Sequence, residues 1–181
     1  MKLSRPDFVR VRKAVLPDAA AIHGLIFEYS RSTNLLARSL PEIYENIRDF
    51  TVAEDHRGIL GCGALHFYGM HLGEVRSIAV WPRFKGRGVG GMIIDALLAE
   101  ADEHHIACAC LFTRIPGFFK KLGFTEVARE RLPDKIYKDC NECRRRDNCD
   151  EVALIRGRLP SRARLELDEK KPARRSLSRV L

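Results

Sequence analysis

Lys85-Gly86-Arg87-Gly88-Val89-Gly90 joins a strand to the start of a helix, and its reading decides the fold. Just upstream, Gly73–Trp81 (GEVRSIAVW) reads as a strand stopped by Pro82. Downstream, Val89, Met92, Ile93, Ala96 and Leu97 recur at helical spacing up to about His104. Glycines at such a junction permit positive φ and remove side chains, so backbone N–H groups can converge on an anion. The helix start adds unsatisfied N–H groups and a favourable dipole. Lys85 and Arg87 add positive charge, and together these features point to a diphosphate site. Gly86, Gly88 and Gly91 also satisfy the dinucleotide fingerprint G-x-G-x-x-G. That fingerprint belongs after the first strand of a parallel βαβ unit, with an acidic residue closing the next strand. Here an antiparallel meander precedes the turn, and the following strand ends at Phe112-Thr113 without an acid. No Gly-Lys-Ser/Thr follows, which removes a Walker loop. A glycine turn that binds nothing is the remaining alternative.

The rest of the chain extends this pattern in both directions. Phe8–Lys13 alternates apolar and basic residues as a half-buried strand does. Leu16-Pro17-Asp18 signals a helix start, and Ile22, Leu25, Ile26 and Tyr29 follow at helical spacing. Residues 30–38 are polar and irregular, and Pro41 opens a second short helix with Ile43, Tyr44 and Ile47 on one face. Phe50–Glu54 and Ile59–Tyr68 are strands joined by the turn Asp55–Gly58, with Gly61 and Gly63 permitting close approach. After the long helix come a strand at Ile106–Phe112 and a short helix at Pro116–Lys121 capped by Gly123. Phe124–Ala128 and Glu151–Arg156 read as closing strands. The fold class is therefore α+β, or mixed α/β, with no internal repeat.

Composition bounds the function. The 181 residues suit one domain with a complete core. We expect a domain over 1–159, with a Cys-containing loop at 138–150, and a basic tail over 160–181. The formal net charge is +8, and from Arg162 onward the tail carries seven basic residues against three acidic ones, a surplus of four. Half of the excess thus sits outside the domain, which weakens a nucleic-acid reading of the domain itself. No window is a membrane span, and the N-terminal stretch lacks the apolar run of a signal peptide. A cytoplasmic protein that contacts neither membrane nor nucleic acid is expected, with a homodimer left open. Cys62, Cys108 and Cys110 lie in apolar segments and read as small buried hydrophobes. Cys140, Cys143 and Cys149 lie in a charged loop, and Cys140-x2-Cys143 has metal-ligand spacing without an evident fourth ligand. A structural zinc on these three cysteines and a reduced, metal-free loop both stay open.

The segment Ala79-Val80-Trp81-Pro82 followed by Lys85–Gly90 resembles the signature of the GNAT superfamily of N-acetyltransferases, Arg/Gln-x-x-Gly-x-Gly/Ala, with Lys85 departing at the first position. Phe118-Phe119-Lys120-Lys121-Leu122-Gly123-Phe124 is similar to that family's second CoA-side motif. The element order matches from about Val9 to Arg156. A narrower resemblance is to the short, stand-alone bacterial N-acetylglutamate synthases of arginine biosynthesis. It rests on Leu35–Ser39, Tyr44–Phe50, Gly61–His66 and Glu74–Val80. It rests also on Leu132–Lys135, Asp139-Cys140 and Cys149–Glu151.

The resemblance implies a GNAT-like, mostly antiparallel twisted sheet flanked by helices. It also implies direct transfer of acetyl from acetyl-CoA to an amine. The backbone at Ile78, Ala79 and Val80 would pair with the pantetheine arm, as an added strand would. Lys85, Gly86, Arg87, Gly88, Val89 and Gly90 would hold the diphosphate, with Phe119 beside the cofactor. An ammonium must lose a proton before it attacks, and Glu74 is the candidate base. By period two, Glu74 shares a face with Arg76, Ile78 and Val80 unless a bulge intervenes. Many relatives protonate the departing thiolate with a tyrosine, where this chain has Phe119. Glutamate as acceptor brings two carboxylates, which ask for arginine or lysine. Arg76, Arg38 and Arg31 are the candidates, followed by Arg114 and Lys135. Another amino acid, a polyamine, a drug or a protein N-terminus stays open as the acceptor, as does a binding module with no turnover.

Overall fold

The computed structural model describes residues 8–31, 35–136, 140–141, 143 and 146–159. The basic tail over 160–181 lies outside the described residues. Seven strands form one sheet: β1 (Arg10–Lys13), β2 (Phe50–Asp55), β3 (Gly58–Gly69), β4 (Leu72–Val80), β5 (Cys108–Thr113), β6 (Thr125–Glu126) and β7 (Val152–Gly157). Four helices longer than one turn accompany them among the described residues: α1 (Ala19–Arg31), α2 (Leu40–Glu45), α3 (Val89–Glu103) and α4 (Pro116–Lys120). The sheet order is β1-β2-β3-β4-β5-β7-β6. Every neighbouring pair is antiparallel except β4–β5. This is the mixed, mostly antiparallel sheet that the family resemblance implies, within the α+β class that the strand pattern predicts.

Helices cover both faces. Ile93, Ile94, Leu97 and Leu98 of α3 pack with Leu65, Val75, Val80 and Leu111 on one side. Ile22, Leu25 and Ile26 of α1 and Ile43 of α2 pack with Val52, Cys62, Ala64 and Ala79 on the other. The start of α1 is locked to the sheet by charge. Arg12 on β1 donates to Asp18 at 2.6 Å and to Glu54 on β2 at 2.7 Å. The hydrogen bonds from Arg12 hold the Asp18 carboxyl below its ordinary range, against the opposing effect of burial.

One irregularity matters for the site. Cys62 pairs with Ala79 and Ala64 with Arg76, so β4 carries one residue more than β3 between those pairs. The bulge lies at Ser77-Ile78 opposite Gly63, and Ser77 has a φ of +56°. A Cβ on Gly63 would meet the Ile78 side chain at 2.4 Å, so only glycine fits opposite the bulge. The extra residue reverses the alternation. Val75, Ile78 and Val80 face α3, whereas Ala79 and the partner of Arg76, Ala64, face α1. The shared face that period two gives to Glu74, Arg76, Ile78 and Val80 is thus divided at Ser77.

Two segments depart from the sequence pattern. The strand expected over Phe124–Ala128 is reduced to Thr125–Glu126, an exposed edge pair on β7. Then come two short helical turns, Arg129–Arg131 and Pro133–Lys135, that periodicity does not signal. Fully buried Leu132 anchors them in a small cluster with Leu72, Cys108 and Cys110.

Candidate functional site

The parallel strands β4 and β5 pair at only two positions, Gly73 with Ala109 and Glu74 with Cys110. Beyond Glu74 they part. β5 goes on pairing with β7, and β4 goes on pairing with β3, so among the described residues the β4 edge from Val75 to Val80 has no strand partner on the β5 side. A cavity of about 700 Å³ fills this wedge. It runs from Gly86–Gly91 at one end, past Ile78, Phe118 and Phe119, to Arg38, Glu74, Arg76 and Lys135 at the other.

At the first end, Gly86 (φ +76°) and Gly88 (φ +81°) hold left-handed conformations that side chains disfavour. Gly88 caps α3, and the first helical hydrogen bond runs from Met92 N–H to the Gly88 carbonyl. The N–H groups of Val89, Gly90 and Gly91 therefore precede the helical ladder. A Cβ at Gly86, Gly88 or Gly91 would meet nothing within 4 Å, so the turn is open rather than packed against the protein. Its flank is basic. The guanidiniums of Arg83 and Arg87 lie 4.9 and 5.6 Å from the centre of the buried Phe84 ring, and the Lys85 ammonium lies 4.9 Å from the Tyr29 ring. The Tyr29 hydroxyl donates to the Val80 carbonyl, which ties α1 to the last residue of β4. This end has open backbone donors and surrounding cations, which suits a diphosphate.

At the far end the chemistry is carried by side chains. Glu74 is only 3% exposed. Its Oε1 lies 2.6 Å from Lys135 Nζ, and its Oε2 accepts from the Tyr68 hydroxyl at 2.8 Å. Arg76 lies 3.9 Å from Glu74 and 3.7 Å from Asp49, and Asp49 also contacts His66 at 3.1 Å. Arg38 Nε donates to the Ser77 hydroxyl on the bulge. Arg114, at the end of β5, reaches Asp150 at 2.6 Å and Glu151 at 3.5 Å. Arg38, Arg76, Arg114 and Lys135 line this end against the acids Glu74 and Glu151. Asp49 and Asp150 pair with Arg76 and Arg114 from outside this lining, so the charges nearly balance, and the guanidinium groups that line the cavity are what suits a carboxylate there.

A profile of the acetyltransferase (GNAT) domain matches residues 46–126, from before β2 through β6. An uncharacterized N-acetyltransferase, CT2212, of Chlorobaculum tepidum is 38% identical over 81% of this chain and 94% of its own. The chain belongs to the GNAT acetyltransferase family. An amino-acid acetyltransferase of Mycobacterium tuberculosis is 34% identical over 71% of this chain and 75% of its own. The crystal structure of Rv2747 from Mycobacterium tuberculosis, in complex with CoA and NLQ, superposes with a TM-score of 0.71 at 30% identity. It covers 83% of this chain and 99% of that one. The protein is thus an acyltransferase with a GNAT fold.

In this GNAT acetyltransferase the cavity gathers most of the residues singled out from sequence. Glu74, Arg76, Ile78, Val80, Lys85, Gly86, Gly88, Val89, Gly90, Arg38 and Phe119 all line it. Arg87 stands beside it on Phe84, and Ala79 turns its side chain into the α1 face. Arg31 stands apart from them. α1 continues through Arg31, whose side chain is exposed in the last turn and does not line the cavity. Tyr68 is absent from the sequence reading, although hairpin register could have found it. His66 pairs with Glu74, and Tyr68 is two residues further along the same strand. Phe118 and Phe119 stand edge to face at 5.0 Å, so this part of the wall offers no proton donor.

The zinc alternative gains nothing from the structure. Among the described residues, no group of three or more His, Cys, Asp or Glu side chains is placed to hold a metal ion. The Arg129 guanidinium instead interacts with Cys149 and Cys140, so a cation of the protein itself already acts on these thiols. Partial burial raises the Cys140 thiol above its ordinary range. Cys62, Cys108 and Cys110 are core residues, and burial pushes Cys62 up to about 12. No described helix is long and apolar enough to cross a membrane.

Proposed function

We propose that this acyltransferase moves acetyl from acetyl-CoA to the α-amino group of an amino acid, with L-glutamate as its acceptor. The observation that carries this reading is one cavity that joins the open glycine turn to a buried carboxylate among the guanidinium groups of Arg38, Arg76 and Arg114. The unpaired β4 edge at Ile78 and Val80 suits the amides of the pantetheine arm, and the turn from Lys85 to Gly90 suits the diphosphate. The thioester then lies in the wedge towards Glu74. The two carboxylates of glutamate match Arg38 and Arg76 in charge, with Arg114 behind them. A polyamine would meet repulsion from the same side chains. The amino-acid acetyltransferase of Mycobacterium tuberculosis supports the acceptor class. The resemblance to short N-acetylglutamate synthases supports glutamate, and with it the first step of arginine biosynthesis.

The reaction needs both substrates bound at once. Glu74 takes a proton from the acceptor α-ammonium. Both its oxygens are engaged, but each carboxylate oxygen accepts more than one hydrogen bond, so an incoming N–H still finds a lone pair. The amine lone pair attacks the thioester carbon, the C–N bond forms and the C–S bond breaks. The thiolate leaves with the electron pair, and the second nitrogen proton reaches it through water, since phenylalanines occupy the neighbouring wall. Free CoA release with L-glutamate, L-glutamine, L-aspartate and spermidine, run in parallel, tests the proposal. Fastest turnover with L-glutamate is expected, and turnover of spermidine alone, or of none of the amino acids, refutes it.

A further inference from the structure

Lys135 places an amine where the acceptor amine belongs. The turn Pro133–Lys135 is pinned by fully buried Leu132 before it and by the His71–Asp134 contact at 3.3 Å. It delivers a lysine that is only 9% exposed, with Nζ 2.6 Å from Glu74 Oε1 and 5.9 Å from the centre of the Phe112 ring. Glu74 belongs to the last residue pair before β4 and β5 part, so this ammonium sits at the apex of the wedge. The other described lysines are placed differently. Lys85 lines the cavity at the glycine end, Lys13 pairs with Glu100, Lys120 pairs with Glu126, and Lys121 is exposed at the C-cap of α4. A primary amine touching the base of an acetyl-transfer site is an acceptor already in place, with the high effective concentration of an intramolecular group.

We propose that Lys135 is a self-acetylation site, modified when acetyl-CoA is bound and the acceptor is absent. The inference rests on the acetyl-transfer reading given above. In the step, Glu74 takes one proton from the Lys135 ammonium across their contact. The Nζ lone pair then attacks the thioester carbon, forming the C–N bond, and the C–S bond breaks. CoA thiolate leaves with the electron pair, and the second nitrogen proton goes to it. The products are acetyl-Lys135, CoA and one proton delivered through Glu74 to solvent. The carboxylate stabilises the ammonium it holds, so the step is slow beside turnover of a diffusible acceptor. Acetylation removes the lysine charge and leaves Glu74 without its closest cation. The modified chain therefore acetylates acceptor more slowly, which makes acceptor scarcity a brake on the enzyme.

The full chain, incubated with acetyl-CoA alone or with saturating L-glutamate, is read by intact mass, by peptide mapping and by CoA release. A single acetyl group on Lys135 is expected. It should be slowed by L-glutamate, absent from Lys135→Arg, and slowed about tenfold or more in Glu74→Gln. Label that spreads equally over Lys85, Lys120 and Lys121, or that forms at Lys135 equally fast in the heat-denatured chain, overturns the proposal. Lys135 left unmodified by acetyl-CoA alone, in a chain that releases CoA with L-glutamate, also overturns it and leaves the proposed function standing. Acetyl-Lys135 without turnover of any amino acid does the reverse. Mapping of the unaltered chain decides the site even where a variant fails to fold.

Discussion

The two ends of the cavity are built on opposite plans. The glycine end is made of backbone from one contiguous stretch, Lys85 to Gly91, in which glycine and the helix start do the work. The far end is made of side chains from Arg38, Tyr68, Glu74, Arg76, Arg114 and Lys135, which meet only through the sheet and the turn before the Cys loop. A backbone site depends on conformation and should tolerate many neighbouring substitutions. A side-chain site depends on each partner, and loss of one leaves a buried charge uncompensated.

The sharpest way to break this contrast is at Glu74. We expect Glu74→Gln to lower kcat about 100-fold or more with little change in KM for acetyl-CoA, as loss of a general base does. A loss below about tenfold would leave Glu74 as only the partner of Lys135 and Tyr68. Thermal unfolding of the variant separates chemistry from folding. Next, Arg76→Met and Arg38→Met should each raise KM for the acceptor about 10- to 100-fold, the worth of a charged hydrogen bond, with KM for acetyl-CoA unchanged. A change confined to the acetyl-CoA KM would reverse the assignment of the two ends. Smaller is the effect of Gly88→Ala, whose left-handed cap costs about 1 kcal/mol with a side chain. It should raise KM for acetyl-CoA by roughly fivefold and leave the acceptor KM alone.

Away from the cavity the expected effects are smaller still. Arg12 holds Asp18 below its ordinary pKa, so the pair stabilises the fold fully above the unfolded value near 4 and fades as pH falls through the lower folded value. Asp18→Asn should cost about 2 kcal/mol at pH 7, and the difference from the unaltered chain should shrink below about pH 4 in denaturant titrations. A difference that persists at low pH would mean that the loss is steric rather than ionic.

The same contrast explains what could be read in advance. The order of strands and helices and the glycine turn are legible because hydrophobic period and glycine placement are local signals. The divided face of β4 is not legible, since nothing in Glu74–Val80 itself marks Ser77 as the extra residue; the mark lies across the strand, in Gly63. The end of α1 is not legible for a local reason, because the polar run after Tyr29 hides its last turn, which carries Arg31. Tyr68 and the Lys135 contact depend on strand register and on a turn without periodicity, so they emerge only in three dimensions.

The two-residue contact between β4 and β5 gives the sheet the form of an open book. One leaf holds β1 to β4 and the other holds β5 to β7, and the spine is Gly73–Ala109 with Glu74–Cys110. Points near a spine move least when the leaves turn, while points at the outer margin move most. Glu74 is bound into the spine, and the glycine turn lies out along the margin. If the leaves turn, Glu74 keeps its register with Cys110, and in the proposed binding mode adjustment to the length of the cosubstrate falls to the glycine turn.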